Sequence, residues 1–142
     1  MQVRELMSTE VVTVSVDATL ADAADRLVDT SVGSVIVVDA DGHPLGILTE
    51  SDMLKAARDT GTVLADIDVR DVGHRAVVTT RPSSAVPSVA RLMADKGVKK
   101  VPVLDGVELV GIVTLTDIVW ALSSLRAETA GIKAVRDEWS PH

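Results

Sequence analysis

The same seven-residue pattern occurs twice in the chain, as GILTESD at residues 46–52 and as GIVTLTD at residues 111–117. In both copies an apolar stretch leads into the pattern and an amphipathic stretch follows it, so each copy predicts the end of a β-strand and the start of an α-helix. The copies share an isoleucine after the first residue, and they share a glycine, a threonine and an aspartate at intervals of three residues. Because they recur with one spacing, the search for a longer internal repeat starts here.

The repetition extends well beyond this pattern. Upstream of it, Val-Arg at 3–4 matches 69–70 and Val-Val-Thr at 11–13 matches 77–79, in both cases 66 positions apart. Within the pattern the offset is 65, because one residue is missing from a turn in the second copy. Common ancestry explains a fixed offset with one deletion better than a shared composition does.

Each copy has the sequence pattern of a strand, a helix, two strands and a second helix. Short valine-rich runs near 11–14 and 77–80 predict the first strand, and apolar residues at spacings of three and four predict the helix after it. Asp-Gly pairs at 41–42 and 105–106 predict tight turns between the next two strands. The fold class is therefore α/β, with two tandem β-α-β-β-α repeats. The expected boundaries are 1–60 for repeat one, 61–68 for a linker, 69–125 for repeat two and 126–142 for a tail whose apolar spacing suits a helix.

Composition and charge exclude several classes of protein. Hydrophobic residues make up 46% of the 142 residues, with Trp120 and Trp139 as the only aromatic ones, so the core must be aliphatic. The net charge of −7 argues against a nucleic-acid-binding surface, which needs cations to displace counterions. The absence of cysteine excludes disulfides and thiolate metal sites, and no apolar run is as long as a membrane span. We expect a soluble cytoplasmic protein that binds neither nucleic acid nor membrane.

The Thr-x-x-Asp pattern at each helix start allows two interpretations. In the structural one it is a capping box, in which the hydroxyl accepts from an early backbone N–H and the aspartate reaches back, while the glycine serves packing. In the functional one the helix N-terminus binds a phosphate, the threonine adds a hydrogen bond and the aspartate accepts from two ribose hydroxyls. Spacing alone does not decide between them.

The repeated pattern resembles the nucleotide-contacting motif of the cystathionine-β-synthase (CBS) domain family. The run VPVLD at 101–105 resembles that family's Pro-Val-hydrophobic-Asp strand, RELM at 4–7 resembles its N-terminal segment, and the similarity covers residues 3–124. The resemblance implies a stand-alone Bateman module, with two α/β units around a pseudo-twofold axis and two clefts between them. It also implies AMP, ADP, ATP or S-adenosylmethionine as ligand, a role in energy sensing, a homodimer and an unidentified protein partner for output.

The resemblance further implies a crossed arrangement of the ligand-binding residues. One cleft would combine the Thr114–Asp117 helix start with residues 13, 33 and 34, and the other would combine the Thr49–Asp52 helix start with residues 79, 99 and 100. In the family the threonine contacts phosphate, the aspartate holds ribose, and backbone with aliphatic side chains sandwiches the adenine. The expected ligand-binding residues are Thr13, Gly33, Ser34, Gly46, Thr49, Asp52, Thr79, Lys99, Lys100, Pro102, Gly111, Thr114 and Asp117. No catalytic residue, bound metal or cofactor is expected.

The two copies differ at positions that bear on ligand binding. Ile36 stands where the family's strand carries proline, and Gly73-His74 stands in copy two where Met7-Ser8 stands in copy one. Lys99-Lys100 is either a solvated strand start or a phosphate contact. Glu50 lies inside the first pattern and would repel a phosphate, but its side chain can rotate into water. We therefore expect unequal clefts, with the lysines prevailing over Glu50.

Two other functions remain open from the residues alone. The first is a ligand-independent dimerisation or interaction module, in which both Thr-x-x-Asp patterns only cap helices. Ile118, Val119 and Leu122 follow the second pattern and would supply an apolar stripe for a homodimer. The second is a small enzyme, which we do not expect, because no Ser–His–acid set is present and His43 has no visible acid or base partner. The pair His74-Arg75 is a weaker candidate for a phosphate contact.

Overall fold

A computed structural model describes residues 1–73 and 76–130 of the chain. The predicted order of elements is present in the described part except for the strand expected near 77–80, and a short additional helix begins the second copy. Repeat one contains β1 (Thr13–Ser15), α1 (Leu20–Thr30), β2 (Ser34–Val38), β3 (Pro44–Thr49) and α2 (Glu50–Thr60). Repeat two contains α3 (Val69–Gly73), α4 (Val86–Lys96), β4 (Lys100–Asp105), β5 (Glu108–Thr114) and α5 (Leu115–Ala130).

Repeat one forms a three-stranded sheet in the order β1-β2-β3. Strand β1 is parallel to β2, with Thr13 opposite Ile36, and β3 is antiparallel to β2, with Thr49 opposite Ser34. The starts of β1 and β2 and the end of β3 therefore lie at one edge of the sheet. Helix α2 begins at this edge, directly after β3.

Repeat two pairs β4 with β5 only, and the strand predicted near 77–80 is reduced to a single parallel bridge between Thr80 and Val103. A proline explains the difference. In repeat one the Ile36 N–H donates to the Val12 carbonyl over 3.0 Å. The equivalent residue, Pro102, has no N–H, so the equivalent bond to Val78 cannot form.

The contacts divide the chain into two compact units. The segment at the start of each repeat is exchanged, in that it belongs to the unit of the other repeat. The repeat-one unit comprises Glu10–Val77 with Gly106–Leu109, and the repeat-two unit comprises Met1–Thr9, Val78–Asp105 and the chain from Val110. In the repeat-two unit the Val3 N–H donates to the Ser84 carbonyl over 2.9 Å. In the repeat-one unit the Leu20 N–H donates to the Ile67 carbonyl over 2.8 Å. Each core is thus completed by residues that precede the other repeat in sequence.

Both cores are aliphatic, as the composition predicts. In the repeat-one unit the most deeply buried side chains come from β2, β3, α1 and α3 and include Leu20, Val37 and Leu48, all at 0% exposure. The leading segment of the repeat-two unit contributes Val3, which is also fully buried. The packing of the exchanged segments is therefore part of each core and not a surface contact.

The described part ends within the C-terminal helix. Helix α5 extends to Ala130, five residues beyond the end expected at 125. The tail residues 131–142, with Trp139, and the pair His74-Arg75 lie outside the described residues. Among the helices that the structure describes, none combines the length and apolarity that a bilayer crossing requires.

Candidate functional site

The two Thr-x-x-Asp patterns both form capping boxes at the helix starts. The Asp52 N–H donates to Thr49 Oγ1 over 3.1 Å, and the Thr49 N–H donates to Asp52 Oδ2 over 2.9 Å. The Asp117 N–H donates to Thr114 Oγ1 over 3.1 Å, and the Thr114 N–H donates to Asp117 Oδ2 over 2.9 Å. All four residues are half-buried. The capping interpretation is therefore confirmed in both copies.

Capping does not use the full hydrogen-bonding capacity of these side chains. A carboxylate has two oxygens with about four lone-pair positions, and the cap engages Oδ2 only through the threonine N–H. A threonine hydroxyl that accepts one hydrogen bond still carries a proton that it can donate. The cap holds both side chains in one orientation at the helix start. The structural and functional interpretations are compatible.

In the repeat-one unit the candidate residues gather at the sheet edge where α2 begins. Ser34 is buried and lies opposite Thr49, and the Gly33 carbonyl accepts from the Glu50 N–H over 3.1 Å. Thr13 begins β1 at the same edge, and its carbonyl accepts from Arg26 Nε over 3.2 Å. Sequence reasoning missed Arg26, because the equivalent residue of copy two is a leucine and the repeat gives no signal there.

In the repeat-two unit the equivalent edge is basic. Lys100 begins β4, and the carbonyl of Lys99 accepts from the Leu115 N–H over 2.8 Å, which ties the lysine pair to the start of α5. Pro102 is buried, and its carbonyl accepts from the Thr80 N–H over 3.0 Å, next to Thr79. The lysines therefore lie beside the Thr-x-x-Asp pattern of their own repeat. The crossed sharing implied by the resemblance involves both units and stays a prediction.

The glycines of the two patterns lie inside their sheets and are buried. Gly46 is opposite Val37 in the pairing of β3 with β2. At Gly111 a Cβ would lie 2.8 Å from Met7 Sδ and 2.9 Å from the Ser8 carbonyl oxygen. Ser8 and Ile112 exchange backbone hydrogen bonds of 2.8 and 2.9 Å beside it. Because Gly111 has no side chain, the Met7–Ser8 segment can pack directly against it. This favours the packing interpretation at that position.

The hairpin between β2 and β3 holds an arrangement that the sequence did not reveal. Asp39 Oδ1 accepts from the N–H groups of Asp41 and His43, both over 2.9 Å, and His43 Nδ1 lies 3.5 Å from Asp39 Oδ2. The view that His43 has no acidic partner was wrong. The His43 backbone hydrogen bond lowers the pKa of Asp39. Asp39, Asp41 and His43 place their ligand atoms within 4.8 Å of one another, but their hydrogen bonds already explain the group as a turn.

An apolar groove lies between α1 and α2 in the repeat-one unit. Its volume is about 600 Å³, and Leu27, Val32 and Met53 line its wall. Val28 and Leu54 also line it and are 76% and 73% exposed, respectively. Aliphatic side chains with this exposure mark a surface suited to another apolar surface.

Comparison with known sequences identifies relatives along most of the chain. The CBS domain family model matches residues 3–59 and 69–124, in agreement with the resemblance. Protein MK0525 of Methanopyrus kandleri is 32% identical over 117 residues, which are 82% of this chain and 60% of that protein. Of two relatives from Methanocaldococcus jannaschii, the chain spans only 43% and 32%.

Solved structures with the same fold are also similar in sequence. The CBS-domain-containing protein ATU1752 of Agrobacterium tumefaciens is 32% identical, with a TM-score of 0.76 over 86% of this chain and 99% of that one. The CBS domain pair of protein MJ0100, solved in complex with 5′-methylthioadenosine and S-adenosyl-L-methionine, is 26% identical, with a TM-score of 0.78 over 88% of this chain and 98% of that one. The sequence repeat, the α/β fold and the family match agree, and this chain belongs to the CBS domain family as a tandem pair of CBS repeats.

Proposed function

We propose that this CBS pair is a ligand-sensing regulatory module that binds an adenine nucleotide (AMP, ADP or ATP) or S-adenosylmethionine. The observation that carries the proposal is the pair of capped Thr-x-x-Asp helix starts, each at a sheet edge beside the start of its central strand. The adenosyl ligands of the MJ0100 pair support the same ligand class. We place the ligands in the two clefts that the resemblance implies, with their crossed sets of residues.

The chemistry of each helix start suits a nucleoside with a charged 5′ group. The unpaired N–H groups and partial positive charge of a helix N-terminus attract a phosphate, to which the threonine hydroxyl can donate. The aspartate can accept from ribose hydroxyls, because a carboxylate has two acceptor oxygens. Because the chain offers no Phe or Tyr, the base would pack against aliphatic side chains and backbone.

We propose that the module acts as a cytoplasmic homodimer, with a second copy of this chain covering the groove between α1 and α2. The exposed Val28 and Leu54 favour such a contact. In the repeat-two unit, Leu122 on α5 is also exposed, at 57%. An isologous contact of this kind pairs each apolar patch with its own copy. The expectation that Ile118 contributes was wrong, because Ile118 is 2% exposed and packs in the core of its unit.

A panel of adenosyl ligands in thermal unfolding tests the proposal. AMP, ATP and S-adenosylmethionine are compared with inorganic tripolyphosphate at the same concentration. A ligand present at about one hundred times its Kd adds about 2.7 kcal/mol to the free energy of unfolding, and tripolyphosphate should add much less. If none of the adenosyl ligands shifts the unfolding curve at millimolar concentration, ligand sensing is excluded.

A ligand-independent dimerisation module is the second candidate, and the packing at Gly111 favours it. There the Met7–Ser8 segment occupies the space directly beside the glycine, as the packing interpretation requires. This candidate predicts a dimer mass by light scattering that Leu54→Glu abolishes, with no response to any nucleotide. We expect no enzyme activity in either case, and an assay of nucleotide turnover by the purified protein checks this.

A further inference from the structure

One backbone hydrogen bond occurs at equivalent positions of the two repeats. The Glu50 N–H donates to the Gly33 carbonyl over 3.1 Å, and the Leu115 N–H donates to the Lys99 carbonyl over 2.8 Å. In both repeats this bond joins the first residue of the second helix to the residue that precedes the central strand. The two positions can therefore be compared residue by residue.

The charge at this position is reversed between the repeats. In repeat two the helix residue is the apolar Leu115, and the strand side carries the ammonium groups of Lys99 and Lys100. In repeat one the strand side is Gly33, and the helix residue carries a carboxylate. A Cβ at Gly33 would lie 3.4 Å from Glu50 Oε1, so this exposed carboxylate lies over the Gly33 backbone. The carboxylate therefore lies beside the strand start of its own repeat.

The carboxylate of Glu50 lies where a phosphate would otherwise be attracted. Helix α2 has two acidic residues in its first turn, Glu50 and Asp52, and both interact favourably with the positive end of the helix. Among the ion pairs found within residues 1–73 and 76–130, none includes Glu50. A phosphate beside Gly33 and Ser34 would thus meet a carboxylate that has no lysine or arginine partner among the described ion pairs.

We infer that Glu50 makes the Gly33–Ser34 position select adenosyl ligands without a phosphate, whereas the Lys99–Lys100 position selects phosphorylated ones. The inference rests on the proposed function and assigns a ligand class to each of its two sites. It departs from the crossed arrangement in one respect: that arrangement puts Glu50 with the lysines, whereas the carboxylate lies beside Gly33 and is assigned here to the Gly33–Ser34 position. Like charges within about 10 Å oppose each other at physiological ionic strength, whereas a neutral thioether or a sulfonium at the 5′ carbon meets no such repulsion. The chain would then bind two adenosyl compounds of different charge, one at each site.

Calorimetric titration with AMP and with adenosine tests the inference, because these ligands share base and ribose and differ in the phosphate. In Glu50→Gln and in Glu50→Leu, which introduces the residue of the other repeat, the weaker AMP site should tighten about 5- to 30-fold. Adenosine affinity should change by less than about twofold, because adenosine carries no charge to repel. Asp25→Asn removes an exposed charge from α1 of the same unit and is the matched control, expected to change neither affinity.

The same comparison of AMP with adenosine, made at the lysines of repeat two, tests the other half of the inference. Lys99→Gln combined with Lys100→Gln should weaken the tighter AMP site and leave adenosine unchanged. Equal shifts for AMP and adenosine, or an effect of Asp25→Asn as large as that of Glu50→Gln, would overturn the inference. Failure of the wild-type protein to bind either ligand would instead overturn the proposed function, so the two failures are distinguishable.

Discussion

The two repeats share one backbone design and differ in the residues placed on it. Both begin their second helix with a Thr-x-x-Asp capping box of nearly identical distances. Beside that cap, repeat one carries Glu50 over a glycine, whereas repeat two carries two lysines. Duplication has thus preserved the geometry, and single substitutions next to the cap have changed the charge that a ligand meets.

A second difference between the repeats concerns how their first strands are held. Ile36 donates a ladder hydrogen bond to Val12, and β1 is a regular strand. Pro102 donates none, and the equivalent segment is attached by the bonds around Thr80 alone. The candidate residue Thr79 therefore lies in a segment with fewer backbone hydrogen bonds than the strand of its counterpart Thr13.

The glycines at the exchanged segments give the largest expected difference in stability between the units. Gly111→Ala places a Cβ 2.9 Å from the Ser8 carbonyl oxygen, a backbone atom that cannot move without breaking the pairing with Ile112. We expect a loss of about 2–3 kcal/mol in the free energy of unfolding, at the upper end for overpacking. Gly73→Ala meets a side-chain atom, Val37 Cγ2, at 2.8 Å, and a smaller loss is expected. Urea denaturation of both variants measures the two free energies of unfolding. A larger loss of stability for Gly73→Ala would show that the Met7–Ser8 segment shifts to accommodate a Cβ more easily than β2 does.

Substitution of the aspartates tests which of them shares a ligand with Lys99 and Lys100. It is Asp52 if the clefts are crossed, and Asp117 if each site lies within one repeat. Asp52→Ala and Asp117→Ala each remove the carboxylate half of a capping box and keep the threonine cap. The lost hydrogen bond costs about 1 kcal/mol of stability, and each variant should weaken one site about tenfold or more. If the clefts are crossed, Asp52→Ala weakens ATP more than AMP, because it removes the cleft that the lysines share, and Asp117→Ala preserves the discrimination. Calorimetry with both nucleotides measures it. The opposite pattern would assign the lysines to Asp117, the aspartate of their own repeat.

The proline of repeat two gives the smallest expected effect. Pro102→Ile restores an N–H opposite the Val78 carbonyl and should extend the parallel pairing to match repeat one. The new hydrogen bond is worth about 0.5–1.5 kcal/mol, partly offset by the repacking of a buried side chain. Hydrogen exchange of the amide at position 102 should then be as slow as that of Ile36. Rapid exchange at 102 would mean that the two repeats differ in strand geometry and not only in this one donor.

Much of the fold was predictable because local chemistry and global packing agree. The helix starts at 50 and 115 follow from the capping residues, and the turn glycines Gly42 and Gly106 adopt φ values of 83° and 64°, as the Asp-Gly pairs predict. The strand near 77–80 was overestimated, because valine content favours a strand but cannot supply the donor that Pro102 lacks. Arg26 and the Asp39–His43 contact were missed, because both depend on how the chain turns in space.

The sequence by itself determined the repeat, the order of elements, the capped helix starts and the family, since each depends on residues close together or on a fixed offset. The tertiary structure alone decided which segment completes which core and on which surface each charge lies. Val3 is buried with repeat two and Ile67 with repeat one, although neither position carries a pattern that names its partner. The reason is physical: hydrophobic burial has no direction along the chain, so an apolar residue packs wherever a core has room for it. The carboxylate of Glu50 was likewise visible as a charge in the sequence, but only the folded chain places it over Gly33.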